Sequence, residues 1–196
     1  DMDIPQLRQA MLSAIACAND AIRQEAARNA EYQHMGTTLV CAVTRPDMAI
    51  IGNIGDSRAY HITAEGIFQI SRDHSVVENM VAKGDLTPLE ARTHPNRNLI
   101  TRALGPDIHA KADAFELPWH KDEFLLLCSD GLVNTVSDQE MLFEVLHDGD
   151  VNECLDHLLQ ISLQRGAPDN ITAVLLLNEE GRCCLLYTSP SPRDRG

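Results

Sequence analysis

Three short acidic segments, far apart in the chain, each stand at the edge of a strand-like apolar run. They are Gly55-Asp56-Ser57-Arg58, Cys128-Ser129-Asp130-Gly131 and Pro168-Asp169-Asn170. The apolar runs 48–51 and 124–127 lead into the first two, and 171–177 leaves the third. Taken singly, each segment is an ordinary turn, because Asp, Asn, Ser and Gly are the usual turn residues. Taken together, they allow a sheet whose strand ends bring several carboxylates to one spot. Converging carboxylates repel one another unless a cation neutralises them. An all-oxygen cluster of that kind suits a hard ion such as magnesium or manganese.

The rest of the chain reads as strands and helices in groups. Residues 5–30 carry apolar side chains at Leu7, Met11, Ala14, Ile15, Ala18 and Ile22, a helical period, with Pro5 in the first turn. Residues 37–44, 48–55, 58–63 and 66–71 are short β-rich runs separated by turn signals. A short helix is expected over 75–84, ending at Gly84. Thr87-Pro88-Leu89-Glu90 is a capping box that opens another. Strands are expected over 111–117 and 123–129. A second capping box, Ser137 to Glu140, opens a helix with Met141, Leu142, Val145 and Leu146 on one face. Asp150 to Glu153 caps a further helix running to Gly166, and 170–177 closes the chain with a strand apolar enough to be central. Grouped strands with grouped helices indicate α+β, not alternating α/β.

The flanking text makes the acidic segments specific. In order come Met35-Gly36-Thr37-Thr38-Leu39, the stretch 51–60, Asp73-His74-Ser75, the segment from His94-Pro95 to Leu104-Gly105, the stretch 126–132, and Asp169-Asn170-Ile171-Thr172. This ordered set resembles the metal-dependent serine/threonine protein phosphatases of the 2C type, in their bacterial form, over roughly residues 5 to 180. The resemblance implies two packed antiparallel β-sheets flanked by helices on both outer faces. It places residues 74–104 in a flap beside the active site. It also implies hydrolysis of phosphoserine and phosphothreonine in proteins by a water activated between two divalent metals, which lie about 3.5–4 Å apart in such sites.

Carried over residue by residue, the resemblance makes Asp130 a ligand shared between metals and Asp169 a second core ligand. Asp56, with Asp130, would help hold a third, weaker ion. The implied cofactors are manganese or magnesium, two core ions and that third one. Gly131 permits close backbone packing beside the ligand. Asn170 would brace the turn, and Thr37 and Thr38 would serve backbone geometry. Arg58 and Arg102 read as partners of nearby acids more readily than as phosphate contacts. Arg97 and His94 fall in the flap, where exposed residues are often neutral. The implied partners are phosphorylated protein substrates, those of a serine/threonine kinase.

The ends stand apart. The family carries an Asp-Gly ligand pair before its first long helix, and an acidic residue and a phosphate-binding arginine further upstream. None has a counterpart here, so the expectation is a phosphatase domain over 1–181, incomplete at its N-terminus. The family's general-acid histidine also belongs upstream, so His34 is not given that role. From residue 182 the text changes to a Ser-Pro-rich stretch that resembles translated sequencing-adapter text. The expectation over 182–196 is a disordered, non-native tail, with a natural linker as the alternative.

Composition sets limits and little more. A chain of 196 residues with 44% apolar content is one domain by prior, with room for a core. A net charge of −13 argues against a nucleic-acid footprint. It does not argue against phosphate-bearing substrates, because a bound metal reverses the local sign. No apolar run reaches 18 residues, the length that signals a membrane span. Cys17, Cys41, Cys128 and Cys154 show no paired spacing and read as small core residues of a cytoplasmic protein.

Other chemistries fit less well. A cysteine phosphatase needs arginine six residues after its nucleophile, and that position after Cys128 is Asn134. Gly55-Asp56-Ser57-Arg58-Ala59 nearly matches a nucleophile elbow, but the run 58–63 reads as strand where the elbow needs helix. The stronger alternative is a catalytically inactive phosphatase-like module that regulates or binds phosphoproteins.

Overall fold

A computed structural model describes residues 2–147, 151–179 and 182–186, the last stretch as backbone. Two compact units make up the chain. One comprises Asp1–Val43, Ile50–Ser57 and Ser71–Phe115; the other comprises Thr44–Ala49, Arg58–Ile70 and Glu116–Gly196. The described strands form two antiparallel sheets accompanied by helices, in agreement with the α+β reading.

The first unit opens with helix α1 (Ile4–Arg28). Asp3 caps it: its carboxylate accepts the Gln6 N–H at 2.8 Å, and the Gln6 side chain accepts the Asp3 N–H at 2.9 Å. This capping box, with Pro5 inside it, satisfies two of the donors that a helix start leaves open. A three-stranded sheet comes next, ordered β1 (Leu39–Thr44), β2 (Met48–Ile54) and β5 (Asp113–Pro118). Met11 and Ile15 of α1 share one core with Ile50, Ile54 and Leu104. Two short helices, α2 (Val76–Lys83) and α3 (Pro88–Thr93), complete this unit. Gly84 ends α2 at positive φ, and the Thr87–Glu90 box opens α3 as its sequence requires.

The second unit is built on a five-stranded antiparallel sheet of β4 (Gly66–Gln69), β3 (Arg58–Thr63), β6 (Phe124–Cys128), β7 (Ala173–Glu179) and β8 (Arg182–Leu186), in that order. Helices α4 (Asp130–Val133), α5 (Asp138–His147) and α6 (Val151–Gln164) accompany it. Tyr60, Ile62, Leu126 and Leu175 from the sheet form one buried core with Leu132, Met141, Val145 and Leu158 from the helices. Burying these side chains is the main favourable term, at about 1.5–3 kcal/mol for each large apolar group. β7 has β6 on one side and β8 on the other, the interior place its apolar run indicated.

Three expectations change. Arg182–Leu186 pairs with β7 as β8, with Leu175 opposite Leu186 and Glu179 opposite Arg182, so these residues are not disordered. The physical reason is that β7 offers a free edge to a run with β-compatible composition, and main-chain hydrogen bonds need no particular side chain. Cys17 is exposed on α1, not a core residue; Cys41 is half-buried, and Cys128 and Cys154 are buried as expected. The Ser129-Asp130-Gly131 turn goes on to open the short helix α4, where its composition indicates a turn alone. The expected cap at Asp150 lies outside the described residues, as do 187–196.

Candidate functional site

The register of the second sheet sets the site. Arg58 at the start of β3 pairs with Cys128 at the end of β6, and Cys128 pairs with Ala173 at the start of β7. The chain leaving β6 and the chain entering β7 therefore emerge at the same sheet end. Ser129 ties them together. Its N–H donates to the Thr172 carbonyl at 2.9 Å, its hydroxyl donates to the Asn170 carbonyl at 3.2 Å, and the Thr172 N–H donates to that hydroxyl at 3.0 Å.

Gly131 brings the two segments into contact. A Cβ at this position would lie 2.3 Å from the Asn170 carbonyl oxygen. No other residue allows the first turn of α4 to rest on the loop that carries Asp169. Asp130 and Asp169 are thereby held near one another at the sheet end. Asp130 is half-buried and Asp169 exposed.

The electrostatics derive from that placement. Burial pushes the Asp130 carboxyl above its ordinary value, and the like charge of Asp169 pushes it further. The Gly131 N–H and the Arg58 guanidinium pull the other way without cancelling the rise. Asn134, one turn along α4, donates to Asp130 Oδ2 at 3.4 Å. Arg58 itself donates to the Tyr60 hydroxyl at 3.0 Å. Cys128, next to the site in sequence, is turned into the core. The donors offered here are thus oxygens, the set that suits a hard divalent ion, and such an ion would offset the repulsion that raises Asp130.

Asp56 belongs to the first unit, in the turn that leaves β2, and is half-buried. Gly55 before it has φ of +109°, and Thr38 packs where its Cβ would be. Thr38 Oγ1 lies 2.9 Å from Ser57 Oγ, and the Thr37 backbone pairs with Leu104. Both threonines therefore serve backbone geometry here. Among the described residues, no group of three or more His, Cys, Asp or Glu is gathered as a complete metal-ligand set.

Arg102, His94 and Arg97 lie in the segment 74–104. Arg102 forms an ion pair with Asp113 at 3.1 Å, an acid partner of the kind its sequence context favours. His94 ends α3, and its Nδ1 accepts the Asn96 N–H at 3.1 Å; Arg97 is exposed. Sequence reasoning alone misses the parts played by Ser129, Asn134 and His74. His74 stands in one of the family-like segments, but its partner Asp113 lies 39 positions away, and no local signal announces that pairing.

Comparison with known proteins decides the family. The family model described as Protein phosphatase 2C matches residues 3–175. The chain belongs to the protein phosphatase 2C family. It is 36% identical over 151 residues to the serine/threonine phosphatase stp of Listeria monocytogenes serotype 4b, covering 76% of this chain and 60% of that protein. The chain thus spans about 60% of the length of that relative. Crystal structures agree with the fold. Serine/threonine phosphatase Stp1 from Staphylococcus aureus superposes with a TM-score of 0.86 at 38% identity, over 92% of this chain and 71% of that one. The catalytic domain of the phosphatase PstP, in complex with two manganese ions, superposes with a TM-score of 0.78 at 30% identity, over 89% of this chain and 72% of that one. All three relatives are named as phosphatases, which does not favour the inactive-module alternative.

Proposed function

We propose that residues 1–181 belong to the phosphatase domain, incomplete at its N-terminus, of a protein that hydrolyses phosphoserine and phosphothreonine in other proteins. The observation that carries the reading is the Asp130–Asp169 pair, drawn together by Gly131 and stapled by Ser129 at one end of a sheet. Asp130 and Asp169 serve as ligands to two core ions, and Asp56 serves a third, weaker ion. The ions are manganese or magnesium; the manganese-bound PstP relative supports the first.

Divalent ions in such a site supply charge that neutralises phosphoryl oxygens and lowers the pKa of water. The protein's own part is positioning. Burial and Asp169 raise the pKa of Asp130, Arg58 works against that rise, and a cation beside the pair would favour the ionised form of Asp130. Asn134 orients one of its oxygens. Asn170 accepts the Ser129 hydroxyl on its carbonyl, and its N–H donates to Asp169 Oδ1 at 2.7 Å, which braces the turn that carries the carboxylate.

The substrates are phosphoproteins, those of a serine/threonine kinase. Cys17, Cys41, Cys128 and Cys154 have no paired spacing in the sequence, which supports a cytoplasmic setting. No helix among the described residues is long and apolar enough to cross a membrane.

Manganese-dependent release of phosphate from a phosphothreonine peptide tests the reading, with Asp130→Asn as the control. Metal-dependent turnover that disappears in the control is the expected result. A folded, metal-binding protein without turnover would overturn it in favour of a binding module.

A further inference from the structure

His74 is buried at 5% exposure, in the first unit, and every polar atom it has is engaged. Its N–H donates to the Gly55 carbonyl at 2.8 Å, and its Nδ1 accepts the Gly55 N–H at 3.1 Å. One residue thus holds both backbone groups of Gly55. Because Nδ1 is an acceptor, the ring proton sits on Nε2, which donates to Asp113 Oδ2 at 3.0 Å. Arg102 grips the other oxygen of Asp113 at 3.1 Å. Arg102 Nη1 also lies 3.2 Å from Nε2, where two donors face each other, and the Asp113 carboxylate takes both. The His74 carbonyl accepts the Thr101 N–H at 2.7 Å, which fixes the residue from behind.

This network holds the Gly55 peptide through both its N–H and its carbonyl. Gly55 adopts φ of +109° with the Thr38 methyl carbon where a Cβ would lie, and Asp56 is the next residue. Glycine adopts positive φ without steric cost and has the widest choice of conformations, so the partners of its peptide are what fix it in this one. We propose that His74 is a positioning residue for Asp56: its imidazole, oriented by Asp113 and Arg102, clamps the Gly55 peptide and so aims the Asp56 carboxylate. The inference rests on the reading of Asp56 as a metal ligand. Partners one step behind a ligand commonly influence affinity by about 10–100-fold.

The test uses the whole chain with His74→Asn, His74→Gln and His74→Leu, each alone and with Asp56→Asn. Asn places an oxygen near the position of Nδ1 and keeps the acceptor for Gly55. Gln places its amide near Nε2 and loses that acceptor. Two readouts are taken beside a thermal melt: hydrogen exchange at the Gly55 amide, and manganese affinity by calorimetry. Gly55 should stay protected in His74→Asn and open in His74→Gln and His74→Leu. Manganese affinity should fall about tenfold in the latter two, recover in His74→Asn, and show no further loss when Asp56 is already Asn. Should His74→Leu not melt cooperatively, His74→Gln carries the comparison.

A Gly55 amide equally protected in all variants overturns the clamp. An open Gly55 with unchanged manganese affinity, while Asp56→Asn weakens binding, overturns the positioning role and leaves the ligand reading standing. No effect of Asp56→Asn itself overturns the ligand reading and the inference with it.

Discussion

Gly131 stands against the Asn170 carbonyl so closely that a Cβ at position 131 would lie 2.3 Å from its oxygen. The contact joins the start of α4 to the loop before β7, and each carries one of the paired carboxylates. Gly131→Ala must push the two segments apart, since the atom it meets is backbone and cannot rotate aside. Overpacking of this kind costs about 1–3 kcal/mol. Urea denaturation of the metal-free protein should show a lower midpoint at unchanged slope, and manganese affinity should fall as the carboxylates separate. An alanine variant with wild-type midpoint and affinity would show that the loop yields freely.

Ser129 stitches the same two segments from the other side, donating to the Asn170 carbonyl and accepting from the Thr172 N–H. Ser129→Ala removes both bonds without changing the volume much. A net loss of about 1 kcal/mol is expected, as for an ordinary intramolecular hydrogen bond. The more telling readout is local: exchange of the Thr172 amide should quicken relative to amides in the middle of β7. A uniform change across the sheet would place the effect in global stability instead.

Burial and the like charge of Asp169 both oppose the ionised form of Asp130. Its folded pKa lies above its unfolded value, so its contribution to stability is complete below the unfolded pKa and is lost as pH rises through the folded one. In the metal-free protein, Asp130→Asn should therefore melt at or above the wild-type temperature at pH 7, with the difference closing in acid. Manganese should raise the melting temperature of the wild type and not of the variant, because only a state that binds the ion is stabilised by it. A metal-free variant that melts clearly lower at pH 7 would contradict this.

Much of this architecture is legible in the sequence because its signals are local. The Thr87–Glu90 and Ser137–Glu140 boxes open helices where the spacing of their residues says they should. The apolar runs at 48–55, 58–63 and 123–129 form β2, β3 and β6 within a residue or two at each end. The Asp3–Gln6 box has the same local spacing, although its Asp-x-x-Gln text departs from the Ser/Thr-x-x-Glu/Gln pattern that marks such a box. The site divides along the same line. Asp130 and Asp169 announce themselves because each sits in a short acidic turn beside an apolar run. What brings them together does not, since the Gly131–Asn170 contact and the Ser129 staple join segments about forty residues apart. His74 and Asp113 pair across a similar separation, and a single sequence carries no mark of such a pairing. β8 is illegible for another reason: its main chain is recruited by the edge of β7, and edge pairing makes few demands on composition.

Glu140 and Arg165 make the clearest acid-sensitive contact in the second unit. Two guanidinium nitrogens of Arg165 donate to the two Glu140 oxygens at 2.6 and 2.9 Å, and one of them also donates to the Thr135 carbonyl at 2.7 Å. The Arg165 hydrogen bonds, then those from the Ser137 N–H and hydroxyl, hold the Glu140 carboxyl well below its usual value of 4.5. A depressed folded pKa contributes stability that is present above the unfolded pKa and is lost as pH falls through the folded one. The wild-type melting temperature should therefore begin to drop as pH falls below the ordinary glutamate range. Glu140→Gln keeps the shape and the cap partner but cannot change charge there. Its melting temperature should be slightly lower at pH 7, because both side chains stand in water and screening weakens the pair. The gap should narrow in acid, where the wild type loses what the variant never had. Parallel melts from pH 7 to pH 2 check this, and a gap that widens in acid would assign the acid sensitivity to other carboxylates.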